Sequence, residues 1–269
     1  MVGRTLSLDH IARQDIVGSL SNPRGQRRGP VKPIADEQLL HRSVVDRVLR
    51  KGKQLAIGSL CDRWLIVRLG MSGQLLTGSA ASERCDHVHA RWTIGGGASL
   101  AFRDARRFGS LIPCPSRSEL EAHWQRLGPD ALSIDPMDLL DRLRSRKLAV
   151  KAGLLNQQIV AGVGNIYADE SLFRARIHPR TVCTSFRHEH AVRLAESLRE
   201  VLASAIEHGG STLRDYCSPS GITGSFRLVH QVYGREGQCC LICGAKLSGA
   251  RVGGRATVWC PTCQGRRIK

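Results

Sequence analysis

Four cysteines near the end of the chain constrain it more than any other feature. Cys240 and Cys243, then Cys260 and Cys263, form the pattern C-x2-C-x16-C-x2-C. Four thiolates at that spacing suit one tetrahedral zinc ion, each pair sitting on a tight turn. Cys239 stands beside Cys240, but only Cys240 leaves a two-residue gap before Cys243. Four protein ligands leave no open position for water, so the expected zinc is structural. Two disulfides are the alternative. They need an oxidising compartment, whereas the opening residues MVGRTLSLDH lack the apolar core of a signal peptide, so a cytoplasmic protein is expected. Cys61, Cys85, Cys114, Cys183 and Cys217 are scattered, and most read as ordinary buried thiols.

The 269 residues are enough for one large domain or two ordinary ones. Lys and Arg number 40 against 23 acids, a net charge of +17. Such a surplus favours a polyanionic partner, with nucleic acid first and a membrane surface as the competitor. No apolar run approaches the roughly 20 residues a spanning helix needs. The excess concentrates around the cysteines: residues 224–269 hold Arg227, Arg235, Lys246, Arg251, Arg255, Arg266, Arg267 and Lys269 against Glu236 alone.

Residues 1 to about 112 read as β structure. DRWLIVRLGM, VHARWTIGGGASLAF and GSLIP are short apolar or alternating runs punctuated by glycine. SNPRGQRRGPVKP, residues 21–33, is a basic Pro/Gly-rich loop. Helical patterning starts in SELEAHWQRLG and PMDLLDRLRS. It continues in KLAVKAGLLNQ, NIYADESLFRAR and HEHAVRLAESLREVLASAIEH, the last closed by Gly209-Gly210.

Several stretches carry chemistry, each with a plainer alternative. Arg251 and Arg255 flank Val-Gly-Gly between the cysteine pairs. They are either solvated charges on a hairpin or guanidinium groups held toward a DNA groove or phosphate. AGVGNIYADESLF puts glycines before a helix, where free N–H groups bind phosphate. There Asn165 either caps the helix or binds phosphate itself, with Lys151 as a neighbouring cation. In FRDARRFGSL, Arg106 and Arg107 precede Phe108, with Asp104 close by. The plain alternative is a strand end with an Asp–Arg pair. The functional one is an aromatic wedge beside an arginine, the device of proteins that extrude a base. Met71 on the glycine-rich turn of RLGMSGQL is either packing or a second such tip. RKGKQL brings Lys53 to the start of an apolar strand. CDHVHA offers His87 and His89 without further zinc ligands, so a phosphate or sugar contact fits better.

Taken together and in this order, RKGKQL, RLGMSGQL, DHVH, FRDARRFG, LGPDAL, KAGLLNQQIVAGVGNIYADESLFRARIHP, GGSTLRDY, QVYGREGQCCLICG and GRATVWCPTC resemble the formamidopyrimidine-DNA glycosylase family. These are bifunctional base-excision repair enzymes related to endonuclease VIII. The resemblance implies an α+β fold. A β-sandwich (1–115) lacking the family's first helix is followed by a helical domain with a helix–two-turn–helix (116–223) and a zinc ribbon (224–269). It implies one structural zinc and a monomer whose partner is double-stranded DNA with an oxidised base or abasic site, bound in the basic cleft between sandwich and helical domain. No membrane is involved, and the place of work is the cytoplasm, at the nucleoid. Met71, Arg106 and Phe108 match residues that fill the gap left by a flipped nucleotide. His87, Lys151 and Asn165 match phosphate contacts. Lys53 matches the lysine assisting proton transfer, and Arg255 the finger arginine assigned to the second elimination. Arg251 matches no such position. The loop capping the flipped base falls around SPSGITGSF, 218–226.

The family begins Met-Pro-Glu-Leu-Pro-Glu. After Met removal the proline amine attacks C1′ and forms a Schiff base, and the glutamate handles protons. An α-amine with pKa near 7.7–8.0 is a usable nucleophile at neutral pH. Here VGRTLS resembles the segment after the family's first helix, so nucleophile and glutamate are expected upstream of Met1, in an ordinary glycosylase acting on oxidised purines. The alternative is a zinc-containing binder of damaged DNA without catalysis. A zinc-ribbon RNA- or protein-interaction module ranks third, since it leaves FRDARRFG without a purpose.

Overall fold

The structure, a computed structural model, describes residues 1–12, 14–18, 35–83, 86–211, 218–220 and 224–265. The basic loop 21–33, residues 212–216 of GGSTLRDY, Cys85, Cys217 and positions 221–223 of the expected capping loop lie outside the described residues.

Eight strands make one antiparallel sheet. They are β1 (Thr5–Ile11), β2 (Ser43–Lys51), β3 (Gln54–Ser59), β4 (Trp64–Arg68), β5 (Gly73–Thr77), β6 (Val88–Ile94), β7 (Ala98–Asp104) and β8 (Ser110–Cys114). Their order is β5-β7-β6-β1-β2-β3-β4-β8. Leu65 and Val67 of β4 and Leu111 of β8 share a buried cluster with Trp92 of β6 and Phe102 of β7, from the other half of that order. The sheet therefore folds over on itself as the expected sandwich. Register shifts at Leu8/His10 and Val45/Arg47 give the local twist and bend this needs. A short helix, α1 (Ser79–Glu83), follows β5.

The helices fall where apolar spacing placed them: α2 (Arg117–Gln125), α3 (Pro136–Arg144), α4 (Val150–Leu155), α5 (Asn165–Arg174) and α6 (His188–Glu207). In α6, Ala191, Leu194, Ala195, Leu198, Val201, Leu202 and Ala205 recur every three or four residues and are buried, a single core-facing stripe. Gly209, at φ +67, ends the helix as the glycine pair suggested. Asp135 caps α3, its side chain accepting from Met137 N at 2.7 Å and Asp138 N at 3.2 Å. A hairpin of β9 (Ser248–Val252) and β10 (Arg255–Trp259) follows. Among the described residues no helix is long and apolar enough to cross a membrane.

The chain divides into two compact units rather than three segments. One comprises Met1–Gln125 with Gly209–Ser225, the other Arg126–His208 with Phe226–Lys269. The sandwich unit extends past residue 115 because α2 is tied to the sheet. Trp124 Nε1 donates to Gln54 Oε1 at 2.9 Å, and Lys51 Nζ to the Trp124 carbonyl at 2.9 Å. Thr77 N donates to the Pro219 carbonyl at 2.9 Å, which brings the returning segment to the sheet. The ribbon shares a unit with the helices because Phe173 of α5 packs with Val232, Leu247, Val258, Cys240 and Cys260.

Candidate functional site

Register gathers the first unit's candidates at one end of the sheet. Gln54 of β3 pairs with Arg68 of β4, and Arg68 with Ser110 of β8. Lys53 precedes Gln54 in an exposed two-residue turn opened by Gly52 at φ +56. Met71, 63% exposed, follows Arg68 by three residues, and Phe108, 41% exposed, precedes Ser110 by two. Gly70 joins the last two tips. At φ +66, any side chain on it would lie 2.6 Å from the Phe108 carbonyl carbon. The Arg106 guanidinium sits over the Phe108 ring, 4.7 Å from its centroid, an arginine-on-aromatic pair as the wedge requires.

In place of the Asp–Arg pair of the plain alternative, Asp104 makes a different arrangement. Asp104 is fully buried and holds the loop backbone: Ser72 Oγ donates to it at 2.5 Å, Gly109 N at 2.6 Å and Arg106 N at 3.3 Å. Arg107 pairs instead with Asp15 at 3.2 Å. His87 is exposed at φ +58 with Nε2 3.8 Å from Asp86, whose carboxyl is held below the usual range by a hydrogen bond from Arg103. His89 is buried, its ring nitrogen 2.8 Å from the Asp104 carbonyl, and serves the same loop.

In the second unit, α4 and α5 are joined by two turns that Gln157 stitches together. Its amide donates to the carbonyls of Leu155 at 3.2 Å and Val163 at 3.1 Å and accepts from Gly162 N at 2.9 Å. Asn165 is the first residue of α5 and not its cap, which is Gly164. Its Nδ2 donates to the Ala256 carbonyl at 3.0 Å, and one N–H remains for a further acceptor. Lys151 departs from its expected place on a phosphate. It has no exposed surface, and its three donors are taken by Asp169 Oδ1 at 2.6 Å, the Ala256 carbonyl at 2.8 Å and Thr257 Oγ1 at 2.8 Å. Burial raises the Asp169 carboxyl to about 6 and lowers the Lys151 ammonium, while the attraction between them opposes both shifts.

Those contacts end on the hairpin. Gly253 and Gly254, at φ +57 and +75, form its two-residue turn, and Val252 pairs with Arg255. The two arginines part company here. Arg251 Nη1 donates to the Gly254 carbonyl at 3.3 Å, whereas the exposed Arg255 side chain has no hydrogen bond or ion pair among the described residues. Glu170 anchors the ribbon's approach, accepting from Gln231 N at 2.9 Å, Val232 N at 3.0 Å and Tyr233 N at 2.8 Å.

The sulfurs of Cys240, Cys243, Cys260 and Cys263 lie within 4.8 Å of one another. Cys240–Cys263 at 3.9 Å and Cys243–Cys260 at 3.4 Å bracket the ~3.8 Å edge of a tetrahedron with 2.3 Å metal–sulfur bonds. These four cysteines can hold a metal ion. Cys239 is exposed and outside the group. A hydrogen bond from the Ala245 backbone brings Cys243 down to about 7, while burial raises Cys260 and Cys263, so metal uptake releases protons.

Sequence reasoning assigns Ser72, Asp169 and Glu170 no role, and Asp104 only that of an ion-pair partner. The available signal was acidity where burial was expected: two adjacent acids inside the apolar run of α5, and an aspartate at a strand end before two arginines.

A folded antiparallel sandwich with basic and aromatic tips, and a helix–two-turn–helix unit carrying a four-cysteine ribbon, define the helix–two-turn–helix DNA-repair class. Family models agree. The formamidopyrimidine-DNA glycosylase N-terminal domain matches residues 2–111 and the formamidopyrimidine-DNA glycosylase H2TH domain residues 127–217. A formamidopyrimidine-DNA glycosylase of Xanthomonas campestris pv. campestris (strain B100) is 44% identical over 240 residues, 86% of this chain and 87% of that one. The crystal structure of the MutM (Fpg) protein of Thermus thermophilus superposes with a TM-score of 0.81 at 38% identity, covering 98% of this chain and 93% of that one. Lactococcus lactis Fpg in complex with abasic-site DNA gives 0.83 at 30% identity, covering 99% and 94%. The same Lactococcus protein has been solved with FAPY-dG DNA, with a TM-score of 0.82 at 29% identity over 98% and 94%. This chain belongs to the formamidopyrimidine-DNA glycosylase family.

Proposed function

We propose that the protein excises oxidised purines from double-stranded DNA and cleaves the abasic strand by β- and δ-elimination through a Schiff base. Family membership carries the reading, and the placement of the candidate residues supports it. Phe108, with Arg106 over its ring and Met71 beside it, is shaped to occupy the space of an extruded nucleotide. Lys53, exposed at the same sheet end, is placed to move protons. His87 and the remaining N–H of Asn165 suit backbone phosphates. Arg255 suits a phosphate near the lesion and the second elimination. Zinc is the ion proposed for the four cysteines. It would fix the hairpin that carries Arg255 and take no part in the chemistry. The protein is proposed to work as a monomer in the cytoplasm, at the nucleoid, where chromosomal DNA lies.

A second reading is binding of damaged or abasic DNA without cleavage, since the tips at Met71 and Phe108 and the exposed Arg255 would serve binding as well as chemistry. Borohydride trapping on a duplex with one 8-oxoguanine or abasic site separates the two. The glycosylase should form a covalent adduct and nick the strand. A protein that binds lesion duplex and never traps would leave only the binder.

A further inference from the structure

We infer that Lys151 and Asp169 are positioning residues that fix where Arg255 is held. The inference rests on the role proposed for Arg255. The three residues after Arg255 are each tied to α4 or α5 by this buried pair. Lys151 Nζ donates to the Ala256 carbonyl and to Thr257 Oγ1, both at 2.8 Å. Thr257 Oγ1 donates in turn to the carbonyl of Arg255 itself at 3.0 Å. Asp169 Oδ2 accepts from Val258 N at 3.1 Å, and its Oδ1 meets only the ammonium, at 2.6 Å. A short hydrogen-bonded path therefore runs from Lys151 to the backbone of the finger arginine. On the hairpin's other side, Gly253 leaves no room for a side chain against Ala152 of α4, where an added carbon would meet Cβ at 2.9 Å.

The choice of residue types points the same way. Two apolar side chains would fill this space at similar stability, since a buried ion pair adds little over a well-packed apolar pair. What an ion pair adds is direction. An ammonium with three donors and a carboxylate with two acceptor atoms specify which backbone groups of β10 must meet them, and so its register. Asn165, on the same Ala256 carbonyl, adds a third tether from the start of α5.

The test is a double-mutant cycle on the metal-loaded full chain, read as the Kd for a duplex with a tetrahydrofuran abasic analogue. That probe needs no nucleophile. Arg255→Ala should weaken binding about tenfold, the loss of one charge-assisted contact. Lys151→Met with Asp169→Leu removes both charges together and should cost a similar factor with metal content unchanged. The triple variant should bind no more weakly than Arg255→Ala alone, because a pair acting through Arg255 has nothing left to position. A merely structural role would lower binding by the same factor in both backgrounds, and that result, or wild-type affinity in the paired variant, overturns the inference. Thr257→Val removes only the hydroxyl of the path, preserves shape, and should repeat the pattern if the paired variant does not fold. Should the wild type not distinguish lesion from intact duplex, the functional reading fails separately. Amide exchange then decides the pair: faster exchange at Ala256, Thr257 and Val258 in the variant supports it, and unchanged protection there refutes it.

Discussion

At Asp104 a carboxylate with no exposed surface accepts from Ser72 Oγ, Gly109 N and Arg106 N, and so sets the loop from which Phe108 projects. Asp104→Ala would orphan two buried donors, Ser72 Oγ and Gly109 N, at about 1–3 kcal/mol each, while Arg106 N keeps Ser72 Oγ as an acceptor. A loss of about 3 kcal/mol or more is expected, seen as earlier urea unfolding of the unit that holds Trp64, Trp92 and Trp124 and followed by their fluorescence. Phe108→Ala is the contrast. An exposed ring carries little of the fold, so stability should move by less than about 0.5 kcal/mol, while preference for lesion over intact duplex should fall. Equal destabilisation by the two variants would contradict this division. The thiols offer a second residue-scale test. Burial pushes Cys114 and Cys183 up to about 11, against 9.0 for a free thiol, and both side chains are inaccessible. Alkylation at pH 8 should therefore label exposed Cys61 and Cys239 and spare Cys114 and Cys183 until unfolding. Between pH 9 and 11 the unfolded chain releases these protons and the folded chain keeps them. Each buried thiol therefore stabilises the fold fully below pH 9, and loses that contribution, on the order of 2–3 kcal/mol, as pH rises through 11.

Among the elements, α5 does the most organising. Asn165, Asp169 and Phe173 are four residues apart and share one face, reaching Ala256, Val258 and the ribbon core in turn, while Glu170 holds the backbone of residues 231–233. Glu170→Gln replaces one acceptor oxygen with an NH2 donor facing N–H groups that need acceptors. We expect a loss of about 2 kcal/mol in how firmly the ribbon is held, read as metal release to a chelator several-fold faster than in wild type. Release at the wild-type rate would mean the ribbon is held without Glu170. This helix also shows what a sequence discloses. Its existence, the stripe of α6 and the cysteine spacing are local patterns, legible from periods of three, four and two residues. The placement of Lys151 was not legible. A lysine near a glycine-rich helix start looks like a phosphate ligand, and only the arrival of Thr257, 106 residues later, shows its ammonium enclosed. The end of the sandwich unit at Gln125 depends likewise on Trp124 finding Gln54, 70 residues away. Long-range pairing of polar groups leaves no periodic trace.

Over the whole molecule, metal removal and salt should separate the contributions to DNA binding. Each unit has its own large apolar core, one around Trp92 and Phe102, the other around Leu172, Phe186 and Leu198. Among the described residues the ribbon's cluster is Val232, Ala245, Leu247 and Val258 with Phe173 of α5 and its own cysteines, too small a core to persist without the ion. Chelation should therefore melt the ribbon alone. Far-UV circular dichroism and the main unfolding transition should change little, while affinity for an abasic-analogue duplex falls about tenfold or more as Arg255 loses its platform, and added zinc restores it. Net charge sets the background against which this loss is read. At +17, binding to any duplex should weaken steeply with salt, log Kd rising in proportion to the number of phosphates neutralised. If Arg255 holds a phosphate, both chelation and Arg255→Ala should reduce that slope by about one. Arg251→Ala should leave it nearly unchanged, because that guanidinium is already held at the hairpin turn. A chelated protein with undiminished affinity and slope would show that the sandwich tips and the helix–two-turn–helix bind DNA without the ribbon. The reading of Arg255 as the finger would then fall, with the rest of the interface intact.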